Sequence, residues 1–178
     1  MSSRFGPDVE VHPSAYVHET ALLYGKVTVG AEASIWPRVV VRSEVLEVRI
    51  GARTNVQDFV MIHIGFSQPT IVGEDCSITH HATLHGCEIG DRTMIGINAT
   101  VMDGVKVGAN SIVAGHAILV EGSQFPDNVV IAGVPGKVVA ERDCSKANLD
   151  NAEFYRRNGI NYAKGVYRFA EGALDDLF

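Results

Sequence analysis

Residues 89–119 read IGDRTMIGINATVMDGVKVGANSIVAGHAIL, and this stretch decides the fold. A valine, isoleucine or leucine opens each block of six, a small residue usually lies four positions later, and glycine often follows the aliphatic residue. An amphipathic helix repeats near 3.6 residues and a strand near 2, so a strict period of six fits neither element alone. It is typical of a parallel β-helix, in which each block supplies one short strand and one corner.

The same period covers most of the chain. From Val11 to Ile131, twenty positions in this register are all valine, isoleucine, leucine or phenylalanine. The spacing breaks in three places: nine residues from Val41 to Ile50, ten from Ile62 to Val72, and five from Leu84 to Ile89. Because three blocks make one triangular coil, we predict between six and seven coils filled by these side chains.

The pattern divides the chain into three parts. Residues 1–10 form an N-terminal segment, residues 11–136 form the β-helix, and residues 137–178 supply a linker, a helix and an acidic tail. Apolar residues among charged ones predict an amphipathic helix over about residues 148–168, interrupted near Gly159, which caps the coil or packs on a neighbouring subunit. We expect the tail from Glu171 to be mobile. The predicted class is therefore all-β, with one C-terminal α-helix.

Composition excludes several classes of function. The 178 residues include 15 basic and 21 acidic ones, and the net charge of −6 disfavours nucleic acid or an anionic membrane as the main partner. No apolar run reaches the roughly 18 residues of a membrane span, and the start lacks a signal-peptide core, so we expect a cytoplasmic protein. The three cysteines form no CxxC pair, which argues against a disulfide framework or a cysteine zinc site.

Two histidines take equivalent positions on neighbouring coils. His63 follows the inward Ile62 and His85 follows the inward Leu84, so strand alternation directs both side chains outward. The two inward residues are three blocks apart, which predicts that both histidines share one face, with backbones about 4.7–4.9 Å apart. Tetrahedral zinc needs ligand nitrogens roughly 3.3 Å apart, a distance that two stacked rings reach by leaning together.

A catalytic metal needs a third ligand, and His80 is the candidate. It lies one block before His85, around a corner, so its outward direction diverges by about 120° on a triangular coil. One chain therefore does not close the site readily. Two coils packed side by side close it when one presents His63 and His85 and the other presents His80, and a homotrimer repeats this arrangement at all three interfaces.

Charged and polar residues occupy the same columns. Arg42 precedes His63 by one coil, and Asp58 lies one coil from His80 on the other face. If those faces meet between subunits, Arg42 pairs with Asp58 of the neighbouring chain. Gln57 and Glu44 flank the same region and are candidates to hydrogen-bond a metal-bound hydroxide or a polar substrate, with Glu44 holding Gln57 in place.

With the histidines so placed, the sequence resembles the gamma-class carbonic anhydrases, which belong to the left-handed hexapeptide-repeat β-helix proteins. The resemblance rests on three stretches and covers about residues 8–140. They are VVVRSE from Val39, NVQDFVMIH from Asn55 and ITHHATLHGCEIG from Ile78. It implies a left-handed coil and a trimer that binds Zn²⁺, or alternatively Fe²⁺ or Co²⁺, between subunits.

The resemblance also implies roles and an activity. His63, His80 and His85 match the metal ligands, Arg42 and Asp58 the intersubunit pair, and Gln57 with Glu44 the residues that orient the hydroxide. The implied reaction is attack of metal-bound hydroxide on CO2 to give bicarbonate, as in a zinc- or iron-dependent carbonate dehydratase, which is a lyase.

Some positions depart from the family pattern. Glu44 replaces an aspartate, Phe59 a small residue, Thr79 a glycine and Val129 a tyrosine, and the stretch IGFSQPT from Ile64 lacks the carboxylates of a proton-shuttle loop. Two other functions remain open: a hexapeptide-repeat acyltransferase that uses acyl-CoA with a histidine base, and a metal-dependent ester or thioester hydrolase. A metal-free scaffold is a third possibility. We interpret His12, His18, His81 and His116 as surface residues, although His81 adjoins His80.

Overall fold

The strands of this protein are short and stack into coils. A computed structural model describes residues 4–177, and within them the order of elements confirms the predicted all-β class with one C-terminal α-helix. The strands are β1 (Val9–Val11), β2 (Tyr16–Val17), β3 (Leu22–Val29), β4 (Ser34–Ile35), β5 (Val40–Ile50), β6 (Asn55–Val56), β7 (Met61–His63), β8 (Thr70–Val72), β9 (Ser77–Ile78), β10 (Thr83–His85), β11 (Glu88–Ile89), β12 (Met94–Ile95), β13 (Thr100–Val101), β14 (Lys106–Val107), β15 (Ile112–Val113), β16 (Ile118–Leu119), β17 (Gln124–Phe125), β18 (Val129–Ala132) and β19 (Lys137–Glu141); the helix is α1 (Ser145–Ala163).

Three faces run the length of the coil. The histidine face contains the first halves of β3 and β5 followed by β7, β10, β13 and β16, and the second face contains β1, the ends of β3 and β5, and then β8, β11, β14 and β17. Because β3 and β5 cross a corner, these two faces form one sheet of eleven strands. The helix face stacks seven parallel strands, β2, β4, β6, β9, β12, β15 and β18, in agreement with the predicted number of coils.

The inward positions of the repeat form the core. All twenty are fully buried except Val11, Val17 and Phe125, which lie toward the ends of the coil and are partly buried. Burial of each such side chain contributes about 1.5–3 kcal/mol relative to exposure. The repeat therefore supplies the stability of the fold by stacking one aliphatic layer on the next.

The corners of the coil account for the small residues of the repeat and include two bulky residues with positive φ. Eleven non-glycine residues of the described range 4–177 have φ between 52° and 64°, and most of them directly precede a buried small residue. Such left-handed backbone suits asparagine or aspartate better than bulky side chains. Phe59 and His81 are both corner residues of this kind, and their rings stack 4.9 Å apart. His81 thus has a structural position at the coil surface.

The helix differs from its prediction. It spans Ser145–Ala163 rather than about 148–168, and Gly159 lies inside it without interrupting it. A Cβ at Gly159 would lie 3.3 Å from the Cβ of Ser34 and 3.4 Å from that of Tyr16. The glycine therefore allows the helix to approach the helix face closely, and it is buried together with Asn148 and Ala152 on one side of the helix.

The ends of the chain also depart from expectation. The segment predicted as a linker after residue 136 contains β19, which pairs antiparallel with β18. The acidic tail is tied to the helix, because Asp176 contacts Arg157 at 2.6 Å, so the expected mobile tail has a defined contact. Residues 1–3 of the N-terminal segment and residue 178 of the tail lie outside the described residues. Within residues 4–177, no helix combines the length and apolarity that crossing a bilayer requires.

Candidate metal centre

The register of the histidine face places two imidazoles side by side. His63 at the end of β7 pairs with His85 at the end of β10, and the ring centroids are 5.0 Å apart. Nδ1 of His63 lies 3.1 Å from Nε2 of His85. Both side chains are partly exposed, at 22% and 35%. The repeat thus brings together two of the three predicted ligands.

A carboxylate occupies the remaining nitrogen of each ring. Nε2 of His63 lies 2.9 Å from Oε2 of Glu44, and Nδ1 of His85 contacts Oδ1 of Asp103. Because an ionised carboxylate only accepts hydrogen bonds, each neutral imidazole places its hydrogen on the nitrogen that faces the carboxylate. The lone pairs of His63 Nδ1 and His85 Nε2 then face each other and repel. A proton or a metal cation between them removes this repulsion.

Two glycines leave room for the Asp103 carboxylate. A Cβ at Gly65 would lie 3.0 Å from Oδ1 of Asp103, and a Cβ at Gly86 would lie 2.7 Å from the same atom. The short step in the repeat after His85 places Gly86 there, with φ of +57°. Sequence reasoning missed Asp103. The register could have revealed it. Asp103 lies two residues after the inward Val101, just as Gly86 lies two residues after the inward Leu84, and Val101 is one coil further along than Leu84.

Arg42 and Glu44 come from the first half of β5. Arg42 is in register with His63, as predicted, and its guanidinium pairs with Glu44 of the same chain. Glu44 reaches His63 because the nine-residue step adds a bulge to this strand, closed by a hydrogen bond from Ser43 Oγ to the carbonyl of Leu46 at 2.8 Å. Desolvation is the largest single influence and raises the pKa of Glu44, but the hydrogen bond to His63, a backbone hydrogen bond and the charge of Arg42 together outweigh it, so the net shift is downward.

His80 lies at a different corner, beside Asp58. Nδ1 of His80 is 3.2 Å from Oδ2 of Asp58, so Asp58 holds this ring within one chain. Within residues 4–177 of a single chain, no three histidine, cysteine, aspartate or glutamate side chains form a metal-ligand cluster. His80 therefore does not complete the His63 and His85 pair in one chain.

Gln57 contributes to a pocket next to His80. Its amide is buried, and Nε2 donates to Oδ1 of Asn55 at 2.9 Å. Within one chain Glu44 contacts His63 and Arg42 instead, so the contact expected between Glu44 and Gln57 stays a prediction. The pocket has a volume of about 430 Å³. Its lining, which defines the His80 pocket, is mostly small or apolar and includes Gln57, Thr79, His80, Met94, Ile97, Asn151 and Tyr155.

Tyr155 is a second residue that sequence reasoning missed. It comes from α1, packs on Trp36 with ring centroids 5.5 Å apart, and lines the His80 pocket. Burial raises the pKa of Tyr155 to about 12, so it remains a neutral phenol at neutral pH. The tyrosine missing at Val129 therefore does not leave the pocket without a phenol. The signal was the helical spacing of Asn148, Ala152 and Tyr155, at steps of four and three.

The cysteines are structural. All three are buried, and burial raises the pKa of Cys76 and of Cys87 to about 12. A thiol with such a pKa is not a nucleophile at neutral pH. Both side chains fill the coil, as the sequence predicted.

Comparison with known proteins places this arrangement in a family. The family model "Bacterial transferase hexapeptide (six repeats)" matches residues 86–120. The chain is 42% identical over 144 residues to a protein of Methanocaldococcus jannaschii named "Probable carbonic anhydrase", covering 81% of this chain and 87% of the relative. It is 41% identical over 101 residues to "Gamma carbonic anhydrase 1, mitochondrial" of Arabidopsis thaliana, covering 53% of this chain and 37% of that protein.

The chain belongs to the gamma-class carbonic anhydrase family. A protein with a different description shares the fold of this chain. A solved structure described as a hexapeptide transferase family protein from Anaplasma phagocytophilum superposes with a TM-score of 0.83 at 28% identity, covering 86% of this chain and 92% of that chain. The β-helix is therefore common to the gamma carbonic anhydrases and to transferases, and the site residues must distinguish the two.

Proposed function

We propose that this protein is a gamma-class carbonic anhydrase that interconverts CO2 and bicarbonate at a metal site between subunits of a homotrimer. The observation that supports this most directly is the close approach of two imidazole nitrogens, Nδ1 of His63 and Nε2 of His85, at 3.1 Å. Family membership and the names of the relatives at 42% and 41% identity support the same activity.

The donor set suits a divalent cation that accepts neutral imidazole. Asp103 and Glu44 each hold one ring by the nitrogen that does not face the partner ring, which is the usual role of carboxylates behind metal-binding histidines. The separation of 3.1 Å is close to the roughly 3.3 Å between two ligands of tetrahedral Zn²⁺. Zn²⁺ is the cation we propose, with Fe²⁺ or Co²⁺ as alternatives that imidazole also binds.

The third ligand comes from a neighbouring subunit. Nδ1 of His80 lies 3.2 Å from Oδ2 of Asp58, so Nε2 is the nitrogen that we expect to bind the metal, yet His80 lies apart from the pair in its own chain. A threefold arrangement brings His80 of each chain to the pair of the next with the same two surfaces at every interface. In this trimer, Arg42 turns from Glu44 toward Asp58 of the neighbouring chain and orients the interface.

When bound, a divalent cation on three imidazoles would supply Lewis acidity that lowers the pKa of water to about 7. The residues of this chain supply orientation and a dry pocket. Gln57 donates a hydrogen bond from Nε2 to Asn55, so its amide oxygen is available to accept a hydrogen bond from the attacking O–H group. Met94 and Ile97 give the pocket an apolar wall, which suits CO2.

Metal analysis of histidine variants tests the site. Purified protein loaded with Zn²⁺, Fe²⁺ or Co²⁺ should contain about one ion per chain and hydrate CO2 in a stopped-flow assay. His63→Ala, His80→Ala and His85→Ala should each lose the ion while remaining trimeric by light scattering, because each removes one ligand. His12→Ala is the matched control, since the His12 ring hydrogen-bonds to Ser14 in a turn. Unchanged metal content in all three variants would rule the site out.

Mixing variants tests the contribution of two subunits. Trimers reassembled from equal amounts of His80→Ala and His63→Ala chains contain interfaces at which an intact pair meets an intact His80. Random assembly gives about a quarter of the wild-type number of sites, although each parent alone has none. A mixture as inactive as its parents would contradict a shared site.

A second candidate is acyl transfer from acyl-CoA. The fold shared with a hexapeptide transferase family protein and the apolar pocket beside His80 favour it, because a histidine next to a carboxylate is a suitable general base. The two functions separate in one assay. An acyltransferase consumes acetyl-CoA in the presence of an acceptor without bound metal, whereas the proposed carbonic anhydrase does not. A metal-dependent ester or thioester hydrolase would consume ester only when loaded with metal.

A further inference from the structure

A chain of buried hydrogen bonds joins Gln57 to the C-terminal helix. Nε2 of Gln57 donates to Oδ1 of Asn55 at 2.9 Å, and Nδ2 of Asn55 donates to Oγ of Ser77 at 2.9 Å. Oγ of Ser77 donates in turn to Oδ1 of Asn151 at 2.8 Å. Gln57, Asn55 and Ser77 are at most 2% exposed, so water does not replace these contacts. We call these four residues the amide relay.

The register of the helix face creates the relay. Asn55 at the start of β6 is directly opposite Ser77 at the start of β9, and both side chains point outward beneath α1. Polar residues at buried outward positions need hydrogen-bond partners, because an unpaired one costs about 1–3 kcal/mol. Asn151 on α1 supplies the last acceptor. The helix therefore completes a network that begins at the His80 pocket.

Two acceptors fix the direction of every bond in the relay. Nδ2 of Asn55 also donates to the carbonyl of Cys76 at 3.2 Å, and a carbonyl only accepts. At the other end, the oxygen of Asn151 takes the hydroxyl hydrogen of Ser77. With both ends set, Oδ1 of Asn55 must face Gln57. Gln57 therefore turns its NH2 group to Asn55 and leaves its oxygen for the pocket.

We propose that Asn151 is a positioning residue, which acts through Ser77 and Asn55 to keep the amide oxygen of Gln57 directed into the His80 pocket. This inference rests on the proposed function for its catalytic consequence, although the relay itself does not. Without Asn151, the hydroxyl hydrogen of Ser77 lacks its acceptor, and the oxygen of Asn55 becomes available to it if the Asn55 amide turns over and gives up its bond to the carbonyl of Cys76. Gln57 then loses its fixed orientation, and the O–H group that attacks CO2 loses its hydrogen-bond acceptor.

Substitutions at Asn151 test the proposal in the full-length, metal-loaded protein. Asn151→Leu should lower kcat for CO2 hydration by about tenfold, the value of one hydrogen bond, and change KM much less. Asn151→Asp should remain within about twofold of the wild type, because a carboxylate still accepts from Ser77. The matched control is Asn148→Ala, which removes hydrogen bonds from α1 to the carbonyls of Arg92 and Ser111 but leaves the relay intact.

Side-chain amide NMR provides a readout that does not depend on activity. The NH2 signals of Gln57, assigned by their loss in Gln57→Glu, should shift in Asn151→Leu and keep the wild-type position in Asn151→Asp and Asn148→Ala. Unmoved Gln57 signals in Asn151→Leu, or equal kcat losses in Asn151→Leu and Asn148→Ala, would overturn the positioning role. A wild-type protein that binds metal without hydrating CO2 would instead overturn the proposed function, and the NMR result would still decide whether the relay exists.

Discussion

The coils from Ile89 to Ile131 and those from Val41 to Ile89 follow the same repeat but differ in regularity. From Ile89 to Ile131 every block has six residues, whereas residues 41–89 contain all three breaks in the spacing. Each break adjoins the candidate site. The nine-residue step contains Glu44, the ten-residue step contains His63, and the five-residue step contains His85.

The difference shows how a repeat acquires chemistry. A regular block offers only a short strand and a tight corner, so its outward side chains sit at fixed spacing. An inserted or deleted residue changes which groups meet. The bulge in β5 brings Glu44 to His63, and the shortened step leaves Gly86 where the Asp103 carboxylate needs space. Irregular segments on a rigid scaffold are common places for functional residues.

The largest expected effect concerns stability in the regular coils. Ile95→Ala removes a fully buried side chain from the stacked core, and we expect the free energy of unfolding to fall by about 2–5 kcal/mol. Urea unfolding at fixed protein concentration measures this change, while metal content per folded chain should stay at the wild-type value. Lys106→Ala, an exposed position of the same region, is the control and should change stability by at most about 0.5 kcal/mol. Loss of metal in folded Ile95→Ala protein would contradict the division between scaffold and site.

Asp103 is the exception that sharpens the comparison, because it belongs to the regular coils and still contacts His85. Asp103→Asn replaces an acceptor that fixes the His85 hydrogen with an amide that can also donate. We expect the affinity for Zn²⁺ or Co²⁺ to fall by about 10–100-fold, as measured by competition with a chromophoric chelator. Asp127→Asn is the control, since Asp127 accepts a hydrogen bond from the backbone N–H of Ala109 rather than from a histidine ring. Equal affinities in the two variants would remove Asp103 from the site.

The sequence alone predicted the features that depend on period. The inward core, the coil number, and the registers of Arg42, His63 and His85 all follow from counting in sixes. Contacts that depend on distant packing were not predictable in this way. Tyr155 and Asn151 reach the site only because α1 lies against the helix face. The six-residue period of the coil does not predict where this helix packs.

Local rules also failed where tertiary packing reversed their meaning. Glycine weakens an isolated helix by about 1 kcal/mol, which is why Gly159 predicted an interruption. In the folded protein the same glycine allows close contact with Ser34 and Tyr16, and packing outweighs propensity. The pair predicted between Arg42 and Asp58 stays a prediction, because within one chain Arg42 contacts Glu44 and Asp58 contacts His80.

The smallest expected effect concerns the attachment of α1 to the coil near Glu32. Hydrogen bonds from Arg156 and Arg157 hold the pKa of Glu153 at about 2, and Arg156 also reaches Glu32 of the coil at 3.1 Å. Because the folded pKa is depressed, this stabilisation is present above the unfolded pKa of about 4.3 and is lost as pH falls toward 2.

We therefore expect Glu153→Gln to unfold more easily than the wild type at pH 7, by about 1 kcal/mol after allowing for solvent screening of this partly exposed group. The difference should shrink between pH 4.5 and pH 2.5, because protonation of Glu153 weakens the ion pairs in the wild type. It should also shrink in 0.5 M salt, where the Debye length is about 4 Å and the ion pairs are screened. Glu121→Gln, at an exposed corner, should show no such pH-dependent difference. A constant difference across this pH range would mean that Glu153 stabilises α1 through packing rather than through charge.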